Sequence, residues 1–381
     1  MASVQQVDFL VLGAGIAGAS AGCFLSEHGR CAVLEREPHP GLHSTGRSAA
    51  LFSETYGPAP VRALSRASRA FYERPPAGFA DHPILLPRGA LHVGGPGDAD
   101  AARAAFESMR AATPSVRLLD ADAARALVPV LRPERTGCAV LEPDARDIDV
   151  DLLHQGFLRA MRARGGLLAC GAEAVAIEPD AGGWRVLAGG REWHAAVLVD
   201  AAGAWADRVA RLAGVEPVGL EPRRRSAFTF APPTGVDCRG WPLTIALDES
   251  WYFKPEAGAL LGSPANADPV EPHDVQAEEL DVAIAIDRIE RATTLSIRRP
   301  TRIWAGLRSF VPDGSPVCGF DDAAPGFFWL AGQGGYGIQT AAAMGRACAA
   351  LAMSEPLPQE LLDCGVEAAA LAPARLRPIR A

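Results

Sequence analysis

The chain has 381 residues, with 37 lysines and arginines against 45 aspartates and glutamates, a net charge of -8, and about half its residues apolar. That length exceeds what one simple core organises, so one large domain or two interleaved domains are expected. The acidic balance speaks against a nucleic-acid partner, which rewards a basic face. Lys254 is the only lysine, so nearly all positive charge is arginine; this reads as composition bias, not a phosphate-binding surface. Eight cysteines are scattered without a C-x-x-C pair or a Cys/His metal spacing, which points to a reducing cytoplasm and no bound metal.

The N-terminal stretch "FLVLGAGIAGASAGCFL" is apolar over nearly the length of a membrane helix. Asp8 precedes it, no basic segment leads it, and its glycines recur at turn spacing, so neither a signal peptide nor a membrane span is expected. It reads instead as strand, tight turn, helix and strand. Residues 7–12 form a continuous apolar run, as a central parallel strand should. Gly13, Gly15 and Gly18 then give G-x-G-x-x-G. The first glycine allows the turn, the second admits a pyrophosphate to the backbone, and the third lets the helix pack on the strand. Residues 31–34 make the second strand, and Glu35 ends it about 20 residues on, where a ribose hydroxyl needs a carboxylate.

Hairpin patterning follows in "HPILLPRGALHVGG", "TGCAVLEPD", "RRSAFTFAPP" and "WYFKPEAGALLGSPA", which predicts a mixed or antiparallel sheet. "GDADAARAAFESMRAA" and "DVQAEELDVAIAIDRIERA" have helical spacing and belong to the same layer or its rim. Two further strand–glycine–helix units stand outside this region. One is "AAVLVDAAGAWADRVARLAG", with a strand at 197–201 and a turn at Gly203; the other is "FFWLAGQGGYGIQTAAAMGRACAALA", whose glycines open a helix at Ile338. A helix N-terminus offers free N–H groups and partial positive charge. No internal repeat, coiled coil or long linker is evident.

"WAGLRSFVPDGSPVCGF" poses a separate problem. Arg308 sits among residues that read as interior, with no acidic residue nearer than Asp313. A buried guanidinium without a partner costs several kcal/mol, of order ~3 or more. Either it pairs with an internal acid such as Asp313 or Asp248, or it faces an anion that the chain does not supply. Arg225 raises the same question, although Arg223 and Arg224 beside it suggest a solvated run.

These segments resemble the superfamily of FAD enzymes that contains D-amino-acid oxidase and glycine oxidase, and the likeness runs nearly end to end. "GLHSTGRSAALFSETYG", "DIDVDLLHQGFLRA", "RRRSAFTFAPP", "DESWYFKPEAG", "LLGSPANADP", "WAGLRSF" and "QGGYGIQT" are most similar to bacterial D-arginine dehydrogenases. The resemblance implies an α/β fold: a Rossmann-like FAD-binding domain interleaved with a substrate domain on a mixed or antiparallel sheet. The expected division is 1–80, 147–218 and 305–381 for FAD, and 81–146 and 219–304 for substrate.

The same resemblance implies roles. Gly13, Ala14, Gly15, Ala17, Gly18, Glu35 and Arg36 would hold the adenine half of FAD, with backbone near Val175 at the adenine edge. Ser44, Thr45, Gly46, Arg47, Ser48, Ala49 and Leu51 would wrap the pyrophosphate and flavin, and Ala202, Gly203 and Trp205 would complete the wall. Gly334, Gly335, Tyr336, Gly337, Ile338 and Gln339 would hold the flavin ring. No cysteine stands at the tethering position and Cys318 lies about ten residues on, so FAD is expected to be noncovalent. Arg308 and Arg225 would clamp a substrate α-carboxylate, since a planar fork matches it bidentately. Tyr56 and Tyr252 would line the same end, with Leu51, Ala90, Gly335 and Gln339 also near the substrate.

The implied reaction is oxidation of a D-amino acid by hydride transfer to flavin N5, giving an imino acid that hydrolyses to a 2-oxo acid and ammonia. A quinone or another non-oxygen acceptor would reoxidise the flavin. Alternatives are D-arginine dehydrogenase proper, a glycine- or sarcosine-type oxidase using dioxygen, and the flavin-bearing subunit of an electron-transfer complex. The protein is expected to be a monomer or weak oligomer, cytoplasmic or peripheral to the inner membrane, with no nucleic-acid partner. The D-arginine dehydrogenases that these segments resemble carry a glutamate where Ala90 stands and a histidine where Leu51 stands, so an apolar side-chain preference is expected here. Glu54 is a candidate substitute acid.

Overall fold

The apolar N-terminal run forms the strand Gln5–Leu12, which lies between parallel neighbours Cys31–Leu34 and Arg191–Asp200 in a computed structural model describing residues 4–377. Burial from both faces is what such an uninterrupted apolar strand requires. Eight strands make up this first sheet among the described residues, and Phe327–Ala331 extends it beside Arg191–Asp200. The helix Ile16–Leu25 is apolar almost all round, because it is packed between the sheet and the helices Val150–Ala163 and Gly337–Ala352. Gly13 takes a left-handed φ of 101°, and a Cβ there would lie 2.5 Å from the Ala201 carbonyl oxygen. A Cβ on Gly18 would stand 1.8 Å from the Gly13 oxygen, so the turn and the helix close on each other only with glycine at both positions. Among the described residues no helix is long and apolar enough to cross a membrane.

The second sheet has nine strands among the described residues. Its spine is the long antiparallel pair Glu221–Phe230 and Arg302–Phe310, in register with Arg223 opposite Arg308 and Arg225 opposite Gly306. The hairpin Tyr252–Glu256 and Ala259–Ser263 forms as its pattern predicts, turning through Ala257 and Gly258 at positive φ. Tyr252 points to one face, while Trp251 and Phe253 stack on the other with centroids 5.9 Å apart. The helices Ala99–Ala112 and Glu279–Ala292 belong to this half, as their spacing predicts.

Two expectations are corrected. "HPILLPRGALHVGG" is no hairpin: Leu85–Pro87 joins Leu51–Phe52 and Arg146–Ile148 in a small sheet, while Ala90–Gly94 enters the large one. Arg88 enforces the separation, because its guanidinium is held by Asp147 and by the carbonyls of Arg239 and Trp241. The expected boundaries at 146/147 and 304/305 both fall inside strands, Arg146–Ile148 and Arg302–Phe310, since each strand's pairing spans both sides of the cut.

His92 lies in the strand Ala90–Gly94, beside Val140 and Ile245. Burial pushes its imidazole down to about 4 from 6.5. The unfolded chain therefore takes up a proton that the folded protein refuses. The stability this provides is present above pH 6.5 and lost as pH falls towards 4. His92→Leu should flatten the profile: between pH 7.5 and pH 5 the variant should lose about 1–2 kcal/mol less unfolding free energy. Urea unfolding at each pH is the measurement.

Candidate active site

One elongated cavity of about 400 Å³ runs along the C-terminal ends of the parallel strands and under the spine of the second sheet. At its first end lie Gly13, Gly15 and Ala17, then Glu35 and Arg36. The Glu35 carboxylate is 9% exposed and braces the turn, accepting the Ala14 N–H at 2.8 Å and the Glu37 N–H at 3.0 Å. Ala14 itself is buried, its carbonyl accepting from His154 Nε2 at 2.8 Å when that ring donates, so it shapes the cradle from behind. Burial lowers the His154 pKa, which favours the neutral ring. Gly18 likewise lies behind the wall. Trp205 lines the cavity with the Arg36 guanidinium 4.1 Å above its ring and His43 against it at 4.7 Å. The sequence singled out the backbone near Val175 here; the wall runs through the preceding residues Ala172, Glu173 and Ala174, while the Val175 side chain is 59% exposed.

In the middle, Ser44, Thr45, Arg47, Ser48 and Ala49 line the cavity together with Ala202 and Gly203. Thr45 Oγ1 accepts the Ile16 N–H at 2.9 Å and so caps the first helix, while Ser44 donates to the Leu307 carbonyl at 2.7 Å. Arg47 donates to the carbonyls of Val275 and Ala305 and pairs with Asp274, tying the loop to the second sheet. Gly46 is off the wall and only closes the turn, donating to the Gly41 carbonyl.

The far end is lined by Gly334, Gly335, Gly337 and Ile338 facing Arg225, Tyr252 and Arg308. Arg225 and Arg308 share a face of the paired strands, offset by one pleat, with glycine opposite Arg225. Neither makes an ion pair among the described residues. Arg308 donates to the Tyr56 hydroxyl at 3.2 Å, and Arg225 donates through Nε to the Asn266 carbonyl at 2.5 Å. Asp313 pairs with Arg375, and Asp248 accepts from the Ser250 N–H, so neither acid serves Arg308. Burial and then the Arg308 charge hold the Arg225 guanidinium below its ordinary value. A Cβ on Gly335 would stand 2.9 Å from the Arg308 guanidinium, so glycine keeps that approach open. The run at 223–225 is not simply solvated: Arg224, on the opposite face, is buried in a network with Asp281, Glu278 and Asp268.

Tyr56 and Tyr336 do not line the main cavity but stand edge to face at 5.0 Å beside Arg308. Burial and then Tyr56 push the Tyr336 phenol up to about 12, so it stays protonated. Gln339 is corrected: it is 3% exposed, and its amide bonds the Ser53 N–H and Ser65 Oγ, away from the cavity. On the first turn of a helix packed against Ala59–Glu73, its side chain turns to that helix. Leu51 and Ala90 are also off the open wall, packed behind it in an apolar cluster with Leu243, Tyr252 and Leu261. Glu54 does not reach in, because Arg69 holds it at 2.7 Å.

Sequence reasoning missed Glu142. It is 1% exposed, opposite Ala90, and accepts from Ser53 Oγ and Thr55 Oγ1 at 2.7 Å and from the Glu54 N–H at 3.2 Å. Burial raises its pKa against these bonds. Lys254, noted only as the single lysine, is buried on the Tyr252 face between Asp147 and Glu256. Gln333 was missed too, although it lies inside the quoted glycine loop. Its amide is buried and neither Nε2 nor Oε1 has a partner among the described residues, an orphan polar group on the cavity-lining loop. The polar edge of a flavin fits that deficit, and the glycine cradle with Glu35 fits the dinucleotide. No group of three or more potential metal ligands occurs among the described residues.

The family of FAD dependent oxidoreductases matches residues 8–351. FAD-dependent oxidoreductase domain-containing protein 1 of Xenopus laevis is 29% identical over 175 residues, 41% of this chain and 34% of that protein. The match therefore spans about a third of that curated relative's length. Glycine oxidase from Geobacillus kaustophilus is similar in structure, with TM-score 0.80, 22% identity, and coverage of 93% of this chain and 96% of that one. The dithionite-reduced L-alpha-glycerophosphate oxidase from Mycoplasma pneumoniae, with FAD bound, has TM-score 0.83 at 16% identity, covering 92% and 95%. Identities this low speak for the fold: α/β, with mixed and antiparallel sheets.

No described cysteine lines the cavity, and Cys318 is buried in the core. Acid or heat denaturation of the yellow protein should therefore release all of its flavin into the supernatant. Flavin absorbance left in the washed precipitate would contradict noncovalent binding.

Proposed function

The chain belongs to the FAD-dependent oxidoreductase family, and within it we propose a dehydrogenase of D-amino acids with apolar side chains. The observation that carries this reading is the pair Arg225 and Arg308, two cations that line the cavity from one sheet face without an ion-pair partner among the described residues. Two buried like charges are costly without an anion to share, and a substrate α-carboxylate would supply it. Two forks, that of Arg308 braced by the Tyr56 hydroxyl, fix the carboxylate in orientation as well as position, so catalysis is largely a matter of placement. The excess positive charge also favours the neutral form of the substrate amine. Bound FAD supplies the two-electron acceptor for the hydride on Cα. Water then converts the imino acid to the 2-oxo acid and ammonia.

The side-chain preference rests on the segment likeness, in which a glutamate stands where Ala90 stands here. Ala90 packs behind the cavity wall with Leu51, Leu243, Tyr252 and Leu261, all apolar or aromatic. The only carboxylate opposite Ala90 is Glu142, whose oxygens already serve three donors. A substrate guanidinium on this side of the cavity would lose water without a free acid among the described residues, a cost that an alkyl side chain does not meet. The D hand, the nearness to D-arginine dehydrogenases and a quinone or dye as electron acceptor are carried by the segment likeness alone.

A panel of D- and L-amino acids with a dye acceptor tests the reading. D-Leu, D-Met or D-Phe should exceed D-Arg in kcat/KM; preference for D-Arg would point to Glu142 as the side-chain ligand, and oxidation of L-amino acids alone would overturn the hand. Arg308→Met should raise KM by roughly 30-fold or more, the cost of about 2–5 kcal/mol for a lost charge partner, while FAD stays bound. An unchanged KM would show that the carboxylate is held elsewhere.

A further inference from the structure

The segment Ser263–Asp268 interrupts the pairing of Glu221–Phe230 with its edge neighbours. Regular antiparallel pairing runs from Phe228 opposite Gly262 to Phe230 opposite Leu260, and resumes with Arg224 opposite Asp268. Between these, Ala265 adopts a φ of 53°, a left-handed conformation that alanine enters only under constraint. The constraint comes from Asn266. Its Oδ1 accepts the Ser226 N–H at 2.8 Å, taking the place of a backbone acceptor in the ladder. Its Nδ2 donates to Asp268 at 2.7 Å and to the buried Asp281 at 3.0 Å. Asp281 is itself fixed by Arg224 Nε at 3.0 Å and Ser226 Oγ at 2.8 Å.

The backbone carbonyl of Asn266 is thereby released from the ladder, and it turns to the other side of the strand to accept Arg225 Nε. A guanidinium held at Nε is restricted in rotation about its own axis, and its terminal nitrogens face away from the carbonyl that holds it. We propose that Asn266 is a positioning residue that orients the Arg225 guanidinium for a carboxylate ligand, by substituting its side-chain amide for a ladder carbonyl and lending its own carbonyl to Nε. The inference rests on Arg225 being a carboxylate ligand, as read above. Asn266 touches no reacting atom; it acts through Arg225.

The test uses FAD-loaded protein and 4-methylpentanoate, the amine-free analogue of leucine, with binding read from the change in flavin absorbance. The unmodified protein should bind it, and Asn266→Ala should weaken binding about tenfold, the scale of a charge-assisted hydrogen bond. FAD affinity should change by less than about twofold, since Asn266 lies off the cofactor cradle. With D-leucine, KM should rise more than kcat falls. Arg225→Lys keeps the charge but has no Nε fork, so adding Asn266→Ala to it should cost less than about twofold further. Equal losses in both backgrounds, or full carboxylate binding by Asn266→Ala, would overturn the proposal. Failure of the unmodified protein to bind the carboxylate would instead remove the clamp itself, and the inference with it. Asn266→Gln, which keeps an amide but shifts it by one methylene, replaces Asn266→Ala if that variant does not fold, with the same expectation.

Discussion

Two guanidinium groups of like charge on one face of a sheet set the terms for the rest of this molecule. Arg225 and Arg308 are desolvated and repel each other, and among the described residues tyrosine hydroxyls and a backbone carbonyl, not carboxylates, are their partners. Such an arrangement is costly unless an anion arrives, and the surroundings keep it intact until one does. Gly306 and Gly335 leave space around the pair, and Tyr252 closes one side. The same cavity continues, past Arg47 and Thr45, to the glycine turn at the first strand. One end thus concentrates positive charge, and the other presents the glycine turn and Glu35.

The connection between the ends is made by residues that belong to both halves. Arg47 leaves the loop after the first cradle and donates to the carbonyls of Val275 and Ala305 in the second half. Ser44 donates to Leu307, one residue before Arg308. The wall that would enclose the cofactor is therefore bonded to the strand that carries the clamp. Glu142 and Gln339 perform a similar task for the segment leading to Tyr56, holding Ser53, Glu54 and Thr55 by side chain and backbone.

Much of this was legible in the sequence, for identifiable reasons. The first strand, its glycine turn and the helix at Gly337 announce themselves because apolar runs and glycine spacing are local signals. Arg308 stood out because charge among apolar residues is a local anomaly. What stayed hidden depends on contacts between distant segments. Nothing near Gln339 says that its amide will be drawn to Ser53 and Ser65 rather than to the cavity. Nothing near Glu142 reveals three donors arriving from residues about ninety positions earlier. The split of the expected hairpin at Gly89 likewise follows from the anchoring of Arg88 by Asp147.

The consecutive arginines 223, 224 and 225 carry a last implication. Their chemistry is the same, and only the pleat sorts them: Arg224 goes to the carboxylates of the underlying helix, and Arg225 goes to the cavity. A residue deleted upstream in this strand would carry Arg225 to the face of Asp281 and bring Ser226 to the cavity, whereas an inserted one would leave an arginine at each place, because Arg223 and Arg224 would move up into them. The strand is thus read in a fixed frame, much as a codon is, and its tolerance to substitution should be far greater than its tolerance to a deletion.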